Sequence, residues 1–216
     1  NICIIHFEGG ELTGTIDEHL RHAITKLSTY HFVSNINAYK VVEQLGENTN
    51  AIFNIGCPSY NSIINLKTNT KYLNNINGSE FNVNEKDYIL SIYHPITTNL
   101  KKTLIEYEIY IQTLIETNKK VIFFYPNVDY GSKEMIRILN LKKIYNNNNF
   151  LLVKSLDNTE YLNLLYFSAV IVGNSSSGIR EACIFGIPSI TIGSRQSNRT
   201  RDLNTITIDK LNKKKH

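Results

Sequence analysis

The chain has 216 residues, of which 42% are hydrophobic, and a formal net charge of +4. This length suffices for one large domain or two small ones, and so mild a charge, with no dense basic block before Lys213–Lys215, does not indicate nucleic-acid binding. Three scattered cysteines without CxxC spacing, and no apolar run long enough for a membrane span or a signal peptide, predict a cytoplasmic protein without disulfides, zinc or a membrane span.

Apolar strands alternate with amphipathic helices along the chain, which predicts parallel sheets with right-handed crossovers. The predicted strands are Ile2–Phe7, Tyr30–Ser34, Ala51–Ile55, Asp87–Tyr93, Val121–Tyr125, Phe150–Ser155, Val170–Val172 and Ser189–Ile192. Helices are predicted after Thr15, over Ala38–Leu45, from Leu100, and over Lys133–Ile144, Thr159–Ser168 and Gly178–Phe185. The fold class is therefore α/β.

The first predicted helix begins with the spacing of a capping box, with Thr15 as the N-cap and Glu18 three residues later. Its apolar residues recur at helical spacing and predict a core-facing stripe, made of Ile16, Leu20, Ala23, Ile24 and Leu27.

A polar, Asn-rich stretch around residues 71–86 is predicted to link two domains. Residues 1–70 would then form part of an N-terminal Rossmann-like domain, and residues 87–216 would form a second one. The chain starts at Asn1 and enters an apolar strand directly, so we expect the N-terminal domain to be incomplete and the sequence to be a fragment.

The segment Val170–Gly193 contains a turn of three serines between an apolar strand and a predicted helix. Backbone N–H groups at such a helix start favour a phosphate, and Glu181, one turn later, could reach a ribose diol. The alternative is a serine-capped helix that binds nothing.

Polar residues follow the predicted strands at several points, and parallel α/β sheets bind ligands beyond their carboxyl ends. We expect a ligand cleft between the two domains, lined by Glu8, His94, Asn127, Asp129, Asn174 and Ser175–Ser177. Arg195, after the last predicted strand, could contact anionic oxygens. A structural role for His94 and a surface position for Arg195 remain alternatives.

Glu8 stands between an aromatic residue and two glycines, where a carboxylate beside a closing cleft could perform acid–base chemistry. Asp17 and Arg21 have the spacing of either a site pair or an ordinary ion pair on a helix surface. His22, beside them, could be catalytic or a packed or capping histidine.

Several blocks together resemble the hydrolysing UDP-N-acetylglucosamine 2-epimerases. They cover nearly the whole chain in order: HFEGGELTGTIDEHLRHAITKLSTYHF, GCPSY, YHPITT, FYPNVDYGSKE, GNSSSGIREACIFGIPSITIGSRQ and NRTRD. The Glu8–Glu11 block resembles the hydrolysing branch, whereas the non-hydrolysing enzymes carry an HxEAGLRT-like segment.

This resemblance implies a fold like that of the B-type glycosyltransferases, with the nucleotide on the C-terminal domain. Ser175 and Ser176 would hold the diphosphate and Glu181 the ribose, with further contacts from His94 and Arg195. Glu8 and Asp17 match the acidic residues of the sugar pocket, and Arg21 and His22 lie next to them.

The reaction implied is anti elimination of UDP from UDP-GlcNAc, followed by hydration of the glycal to ManNAc, with no cofactor and no metal. Alternatives are the same reaction on a UDP-2,4-diacetamido-6-deoxy sugar, a B-type glycosyltransferase, and a non-catalytic UDP-sugar-binding domain. Family members imply a homo-oligomer, a dimer or tetramer.

The chain departs from the family's pattern in two ways. The family's further acidic residue and its first loop bearing glycine and arginine have no counterpart here, and neither do its closing helices. The 216 residues alone are therefore expected to be inactive and the full-length protein active.

Overall fold

A computed structural model describes residues 2–13, 16–74, 76, 79, 81–196, 199 and 201–211. The predicted cap Thr15 and the basic block Lys213–Lys215 lie outside the described residues. The chain divides into two compact units, Asn1–Ile64 with Ser197–Arg199 and Asn65–Gln196 with Thr200–His216. No helix in the described ranges has the length and apolar character needed to cross a membrane.

The first unit is a three-stranded parallel sheet in the order β1-β2-β3 with three helices. Its elements are β1 (Ile5–Phe7), α1 (Ile16–Leu27), β2 (Tyr30–Val33), α2 (Ile36–Gln44), β3 (Ile52–Asn54) and α3 (Ser59–Ile64). The core lies between the sheet and α2, where Ala38 and Val42 pack with Val33 and Ile52. The predicted strands and the parallel pairing are confirmed, although α3, a helix of six residues, was not predicted.

The prediction that the apolar stripe of α1 faces the core is wrong. Leu20, Ile24 and Leu27 are 59%, 47% and 73% exposed, and Ala23 is exposed too. The helix instead presents Thr25 to the interior: the Thr25 hydroxyl is fully buried, lies 3.1 Å from His6 Nδ1 in β1, and donates to the Arg21 carbonyl. The side of α1 that meets the sheet thus carries a polar contact.

The second unit is a six-stranded parallel sheet in the order β6-β5-β4-β7-β8-β9. Its strands are β4 (Tyr88–Ile92), β5 (Lys120–Phe124), β6 (Phe150–Val153), β7 (Val170–Gly173), β8 (Ser189–Ile192) and β9 (Thr205–Ile208). Its helices are α4 (Leu100–Glu116), α5 (Ser132–Leu141), α6 (Asn158–Phe167) and α7 (Glu181–Ile184). This is the doubly wound order, whose winding reverses between β4 and β7, and such sheets bind ligands at that reversal.

Two apolar clusters form the core of the second unit. The stretch predicted as a linker, residues 71–86, contributes to one of them, because Leu73, Ile76 and Val83 are buried there with Tyr88 and Leu164. The compact units divide before that stretch, at Ile64 and Asn65.

The helix predicted over Gly178–Phe185 is interrupted. Ser176–Gly178 form a 3₁₀ turn, and α7 covers only Glu181–Ile184. A Cβ atom on Gly178 would lie 2.6 Å from Ser189 Oγ, so the turn packs directly on β8 and does not start a regular helix.

Candidate functional site

The carboxyl ends of β4 and β7 meet at the reversal of the second sheet. Gly173 ends β7 with φ at 141°, and a Cβ atom there would stand 1.8 Å from the Ile92 carbonyl oxygen. Only glycine allows the two backbones to approach so closely. The following residue, Asn174, is thereby brought beside His94, which comes after β4.

Asn174 is fully buried and holds the backbone of His94 through both ends of its amide. Its Oδ1 accepts from the His94 N–H at 2.7 Å, and its Nδ2 donates to the His94 carbonyl at 2.8 Å. Asn174 was predicted to bind substrate, but its side chain is engaged by this two-point contact. The geometry makes Asn174 a support for His94.

The ring of His94 is 9% exposed and its Nδ1 accepts from the Asn127 backbone N–H at 3.2 Å. A backbone N–H can only donate, so a neutral ring carries its proton on Nε2. Burial, together with the positive charge of Arg195, lowers the pKa of His94 to about 4. His94 is therefore neutral at pH 7 and offers an Nε2–H donor.

The backbone carbonyl of Asn174 joins the loop after β8 to this site. It accepts from Arg195 Nη1 at 3.2 Å and from Gln196 Nε2 at 3.0 Å, and Gln196 is 2% exposed. Arg201 extends the connection, donating to the Gln196 carbonyl at 3.0 Å and to Thr207 Oγ1 in β9 at 2.8 Å. Strand β9 and this loop are thus tied to the end of β7.

The serine turn also has its own internal support. Ser175 Oγ accepts from the Ser177 N–H at 3.3 Å, and the Ser177 hydroxyl is hydrogen-bonded to Tyr161 from α6. Burial raises the pKa of Tyr161 well above its usual value, so it stays a neutral phenol. Ser175 and Ser176 are half-buried, and they remain the side chains of the turn that a ligand could reach.

Glu181 lies in the first turn of α7, and its Oε2 is buried without a hydrogen-bond partner among the described residues. A buried carboxylate oxygen with no donor is costly, which makes it a candidate acceptor for a ligand hydroxyl. Asn127 and Asp129 contribute backbone instead: Asn127 contacts His94, while the Asp129 carbonyl accepts from the Ser132 N–H, and both side chains are exposed.

In the first unit, the loop after β1 is held in an unusual conformation. Glu8 has φ at 60°, a left-handed value uncommon outside glycine, and its N–H donates to the Phe32 carbonyl at 2.8 Å. A Cβ atom on Gly9 would lie 2.9 Å from His6 Nδ1, and one on Gly10 would lie 2.2 Å from the Ala38 carbonyl oxygen. The two glycines therefore let the loop press against β1 and α2, which fixes where Glu8 leaves the sheet.

Two polar groups from other elements reach this loop. Cys57, after β3, donates its thiol to Glu8 Oε1 at 3.2 Å. Ser34, after β2, donates to Glu11 Oε1 at 3.0 Å, and Arg199 pairs with Glu11 Oε2 at 3.2 Å. Polar groups from the carboxyl ends of β1, β2 and β3 thus contact this loop at Glu8 and at Glu11.

The predicted residues of α1 lie in this unit as well. Arg21 Nη1 donates to the Glu11 carbonyl at 2.7 Å, which ties α1 to the loop. Asp17 is exposed in the first turn of α1, and His22 Nε2 is buried without a hydrogen-bond partner in the described part of the chain. No group of three or more His, Cys, Asp and Glu side chains there could hold a metal ion.

Several residues that contact the predicted site residues were not predicted from the sequence: Cys57, Ser34, Tyr161, Gln196 and Arg199. Cys57 and Arg199 stand inside quoted motifs, GCPSY and NRTRD, so the motifs were a usable signal. Gln196 ends the quoted block GNSSSGIREACIFGIPSITIGSRQ. No quoted motif contains Tyr161, whose partner lies 16 residues away in sequence.

The model of the UDP-N-acetylglucosamine 2-epimerase family matches residues 1–214. The chain belongs to this family. The resemblance to this family found in the sequence is thereby confirmed.

Two curated relatives of the chain support the assignment to this family. A Legionella pneumophila protein named UDP-N,N'-diacetylbacillosamine 2-epimerase (hydrolyzing) is 36% identical over 210 residues, covering 97% of this chain and 54% of the relative. The UDP-N-acetylglucosamine 2-epimerase of Neisseria meningitidis is 35% identical over 211 residues, covering 95% and 53%. The chain thus spans about half the length of the curated relatives it matches.

A solved structure shows the same fold. The Methanocaldococcus jannaschii UDP-GlcNAc 2-epimerase, solved in complex with UDP-GlcNAc and UDP, matches with a TM-score of 0.73 and 22% identity. The match covers 96% of this chain and 58% of that one. The α/β class with parallel sheets, similar to the B-type glycosyltransferases, is therefore confirmed for this chain.

Proposed function

We propose that this protein is a hydrolysing 2-epimerase that converts UDP-GlcNAc and water to ManNAc and UDP. In the first step a base removes the proton at C2 while the bond from C1 to the UDP oxygen breaks, giving a glycal and UDP. In the second step water adds across the C1–C2 double bond, placing hydroxyl on C1 and a proton on C2 with the opposite configuration.

The observation that carries this proposal is the 36% identity, over 97% of the chain, to a relative named as a hydrolysing 2-epimerase. It supports both the 2-epimerase chemistry and its hydrolytic form. The sequence block Glu8–Glu11, which resembles the hydrolysing branch, agrees with it.

We assign proton transfer to the first unit. Glu8 and Asp17 are the carboxylates for the base and acid roles, and Arg21 and His22 are their neighbours on α1. Removal of a C2 proton needs a positioned base, and Glu8 is on a loop whose backbone is fixed by close packing on both sides. A carboxylate can also stabilise positive charge developing at C1, as in glycoside hydrolysis.

We assign nucleotide binding to the second unit. The neutral Nε2–H of His94 and the guanidinium of Arg195 are donors for diphosphate oxygens, with Ser175 and Ser176 contributing hydroxyls. Glu181, whose Oε2 is buried and unpartnered within the described ranges, would accept from the ribose hydroxyls. Stabilising negative charge on departing UDP lowers the barrier to elimination.

The test is to incubate the full-length protein with UDP-GlcNAc in deuterated water and follow the sugar by NMR. Free ManNAc carrying deuterium at C2, with UDP released, is the expected result. Epimerisation that leaves UDP attached would place the protein in the non-hydrolysing branch, and transfer only to an added acceptor would indicate a glycosyltransferase. UDP binding with no reaction on any sugar would indicate a non-catalytic binding domain.

A second candidate substrate is a UDP-2,4-diacetamido-6-deoxy sugar, and the name of the Legionella pneumophila relative favours it. The same NMR assay with UDP-N,N'-diacetylbacillosamine distinguishes the two substrates through the ratio of their kcat/KM values. We also propose that the full-length protein is a dimer or tetramer, which light scattering on the purified protein would test.

A further inference from the structure

The thiol of Cys57 contacts one of the two carboxylates to which the proposed function assigns proton transfer. Cys57 is 8% exposed, and its Sγ lies 3.2 Å from Glu8 Oε1. We propose that Cys57 is a positioning residue that holds the Glu8 carboxylate in its reactive orientation. This inference rests on the proposed function, because it concerns how Glu8 performs its part.

Both partners are fixed by their own backbone. Glu8, which follows β1, itself has a left-handed φ of 60°, and its N–H donates to the Phe32 carbonyl. Cys57 leaves β3 after Gly56, which has φ at 80°, and its carbonyl accepts from the Tyr60 N–H at 3.1 Å as α3 begins. Since β1 and β3 flank β2 in one parallel sheet, their carboxyl ends deliver the two side chains to the same edge.

A thiol suits this role because it donates a hydrogen bond without adding charge. The bond engages Oε1 of Glu8 and orients the plane of the carboxylate. A carboxylate accepts hydrogen bonds through both of its oxygens.

Charged groups of the same loop and of α1 lie in the same unit. Glu11 is paired with Arg199 at 3.2 Å, Arg21 binds the Glu11 carbonyl, and Asp17 lies in the first turn of α1. A substitution of Cys57 leaves all four of these charges in place.

The chain offers a matched control in its other thiol–carboxylate pair. Cys183 Sγ lies 3.2 Å from Asp202 Oδ2, at the same separation as the Cys57 pair, but Cys183 is half-buried and lies in the second unit. Cys183→Ala therefore removes the same kind of contact without touching Glu8.

The first measurement is the carboxyl ¹³C NMR spectrum of the full-length protein labelled at glutamate side chains. The signal of Glu8 is the one lost in Glu8→Gln. We expect Cys57→Ala to move the Glu8 signal, because the carboxylate loses the hydrogen bond to its Oε1. Cys57→Ser, which keeps a donor, and Cys183→Ala should leave the Glu8 signal close to that of the wild type.

The second measurement is turnover of UDP-GlcNAc and of the diacetamido sugar. Cys57→Ala should lower kcat about tenfold with KM within about twofold, and Cys57→Ser should restore most of the rate. A purely structural role for Cys57 would lower stability without this split between kcat and KM and without rescue by serine.

The outcomes separate the two proposals. Turnover with the same Glu8 signal and the same kcat in the wild type, Cys57→Ser and Cys57→Ala overturns the inference and keeps the function. No turnover by the wild type, with a displaced Glu8 signal in Cys57→Ala, overturns the function and confirms the hold of the thiol on Glu8. If Cys57→Ala does not fold, Glu8→Gln gives the reciprocal test: the Cys57 signal, followed by ¹³C-cysteine NMR, should move, and an unchanged position overturns the inference.

Discussion

The first strand of each unit ends in a polar loop, and the two loops are built from different chemistry. After β1 the groups are ionisable: Glu8 with the Cys57 thiol, and Glu11 with Arg199. After β4 the contacts to His94 come from neutral groups, the Asn174 amide and the Asn127 backbone. Both loops lie at carboxyl ends of parallel strands, so topology alone does not explain the contrast.

Under the proposed function, the difference would suit two tasks. A carboxylate that must gain and lose a proton needs neighbours that tune its charge, whereas a donor for a diphosphate works best when it stays in one protonation state. The pKa of His94, lowered to about 4, keeps its ring neutral through the physiological range. We therefore expect the two loops to respond differently to substitution and to acid.

The largest effect is expected from Glu8→Gln in the full-length protein. Losing the ionisable carboxylate should lower kcat by about 10²- to 10⁴-fold, while the affinity for UDP, measured by calorimetry, stays within about twofold. Glu43→Gln, an exposed change on α2, is the control. Retention of more than about a tenth of the wild-type rate would remove Glu8 from the proton-transfer step.

Acid should weaken the loop after β4 through His94. Its pKa is lower in the folded state than the ordinary value of 6.5, so the unfolded state binds more protons between pH 6.5 and 4. The stabilisation is fully present above pH 6.5 and is lost as the pH falls to about 4, by about 3 kcal/mol in the free energy of unfolding. Denaturant titrations at several pH values should show a flatter dependence in His94→Asn.

The control for this measurement is His19→Asn, an exposed change on α1. A dependence on pH that is equally steep in the wild type and in His94→Asn would show that His94 titrates normally in the folded protein.

A smaller loss of stability is expected from Asn174→Ala. The substitution leaves the buried N–H and carbonyl of His94 without their partners, at a cost of about 2 kcal/mol in the free energy of unfolding. UDP affinity should fall with it, because His94 and Arg195 both contact this residue. Asn140→Ala, on the exposed side of α5, should change neither quantity, and equal effects of the two variants would contradict the support role of Asn174.

The smallest effects concern the two apolar surfaces of the first unit. Val42→Ala, in the core beside α2, should lower the free energy of unfolding by about 1 to 2 kcal/mol. Ile24→Ala, on the exposed stripe of α1, should change it by less than about 0.5 kcal/mol. Comparable losses in thermal or denaturant unfolding would show that the stripe is covered in solution.

Much of the fold was predictable, because buried parallel strands appear as continuous apolar runs between turn residues. Eight of the nine strands in the described residues were predicted, and the exception, Thr205–Ile208, is a short strand on the edge of the sheet with Ile206 67% exposed. The side of α1 that faces the sheet was not predictable from apolar periodicity, because the residue buried there is a threonine, Thr25.

The candidate site was predictable as a set of strand ends but not as a set of contacts. Sequence analysis placed His94 and Asn174 at the same rim, yet their hydrogen bonds join residues 80 positions apart. The Cys57–Glu8 contact spans 49 positions. Such pairings depend on strand order, which alternation of strands and helices does not specify.

The strand order has a consequence for synthesis on the ribosome. Strand β4 is central, and one of its neighbours, β7, emerges about 80 residues later, as the separation of His94 and Asn174 shows. At roughly 5 to 20 residues per second, that edge of β4 waits about 4 to 16 seconds for its partner. Strand β5 covers the other edge of β4 much sooner, so through most of this interval the nascent chain must protect the unpaired backbone N–H and carbonyl groups on the β7 side of β4.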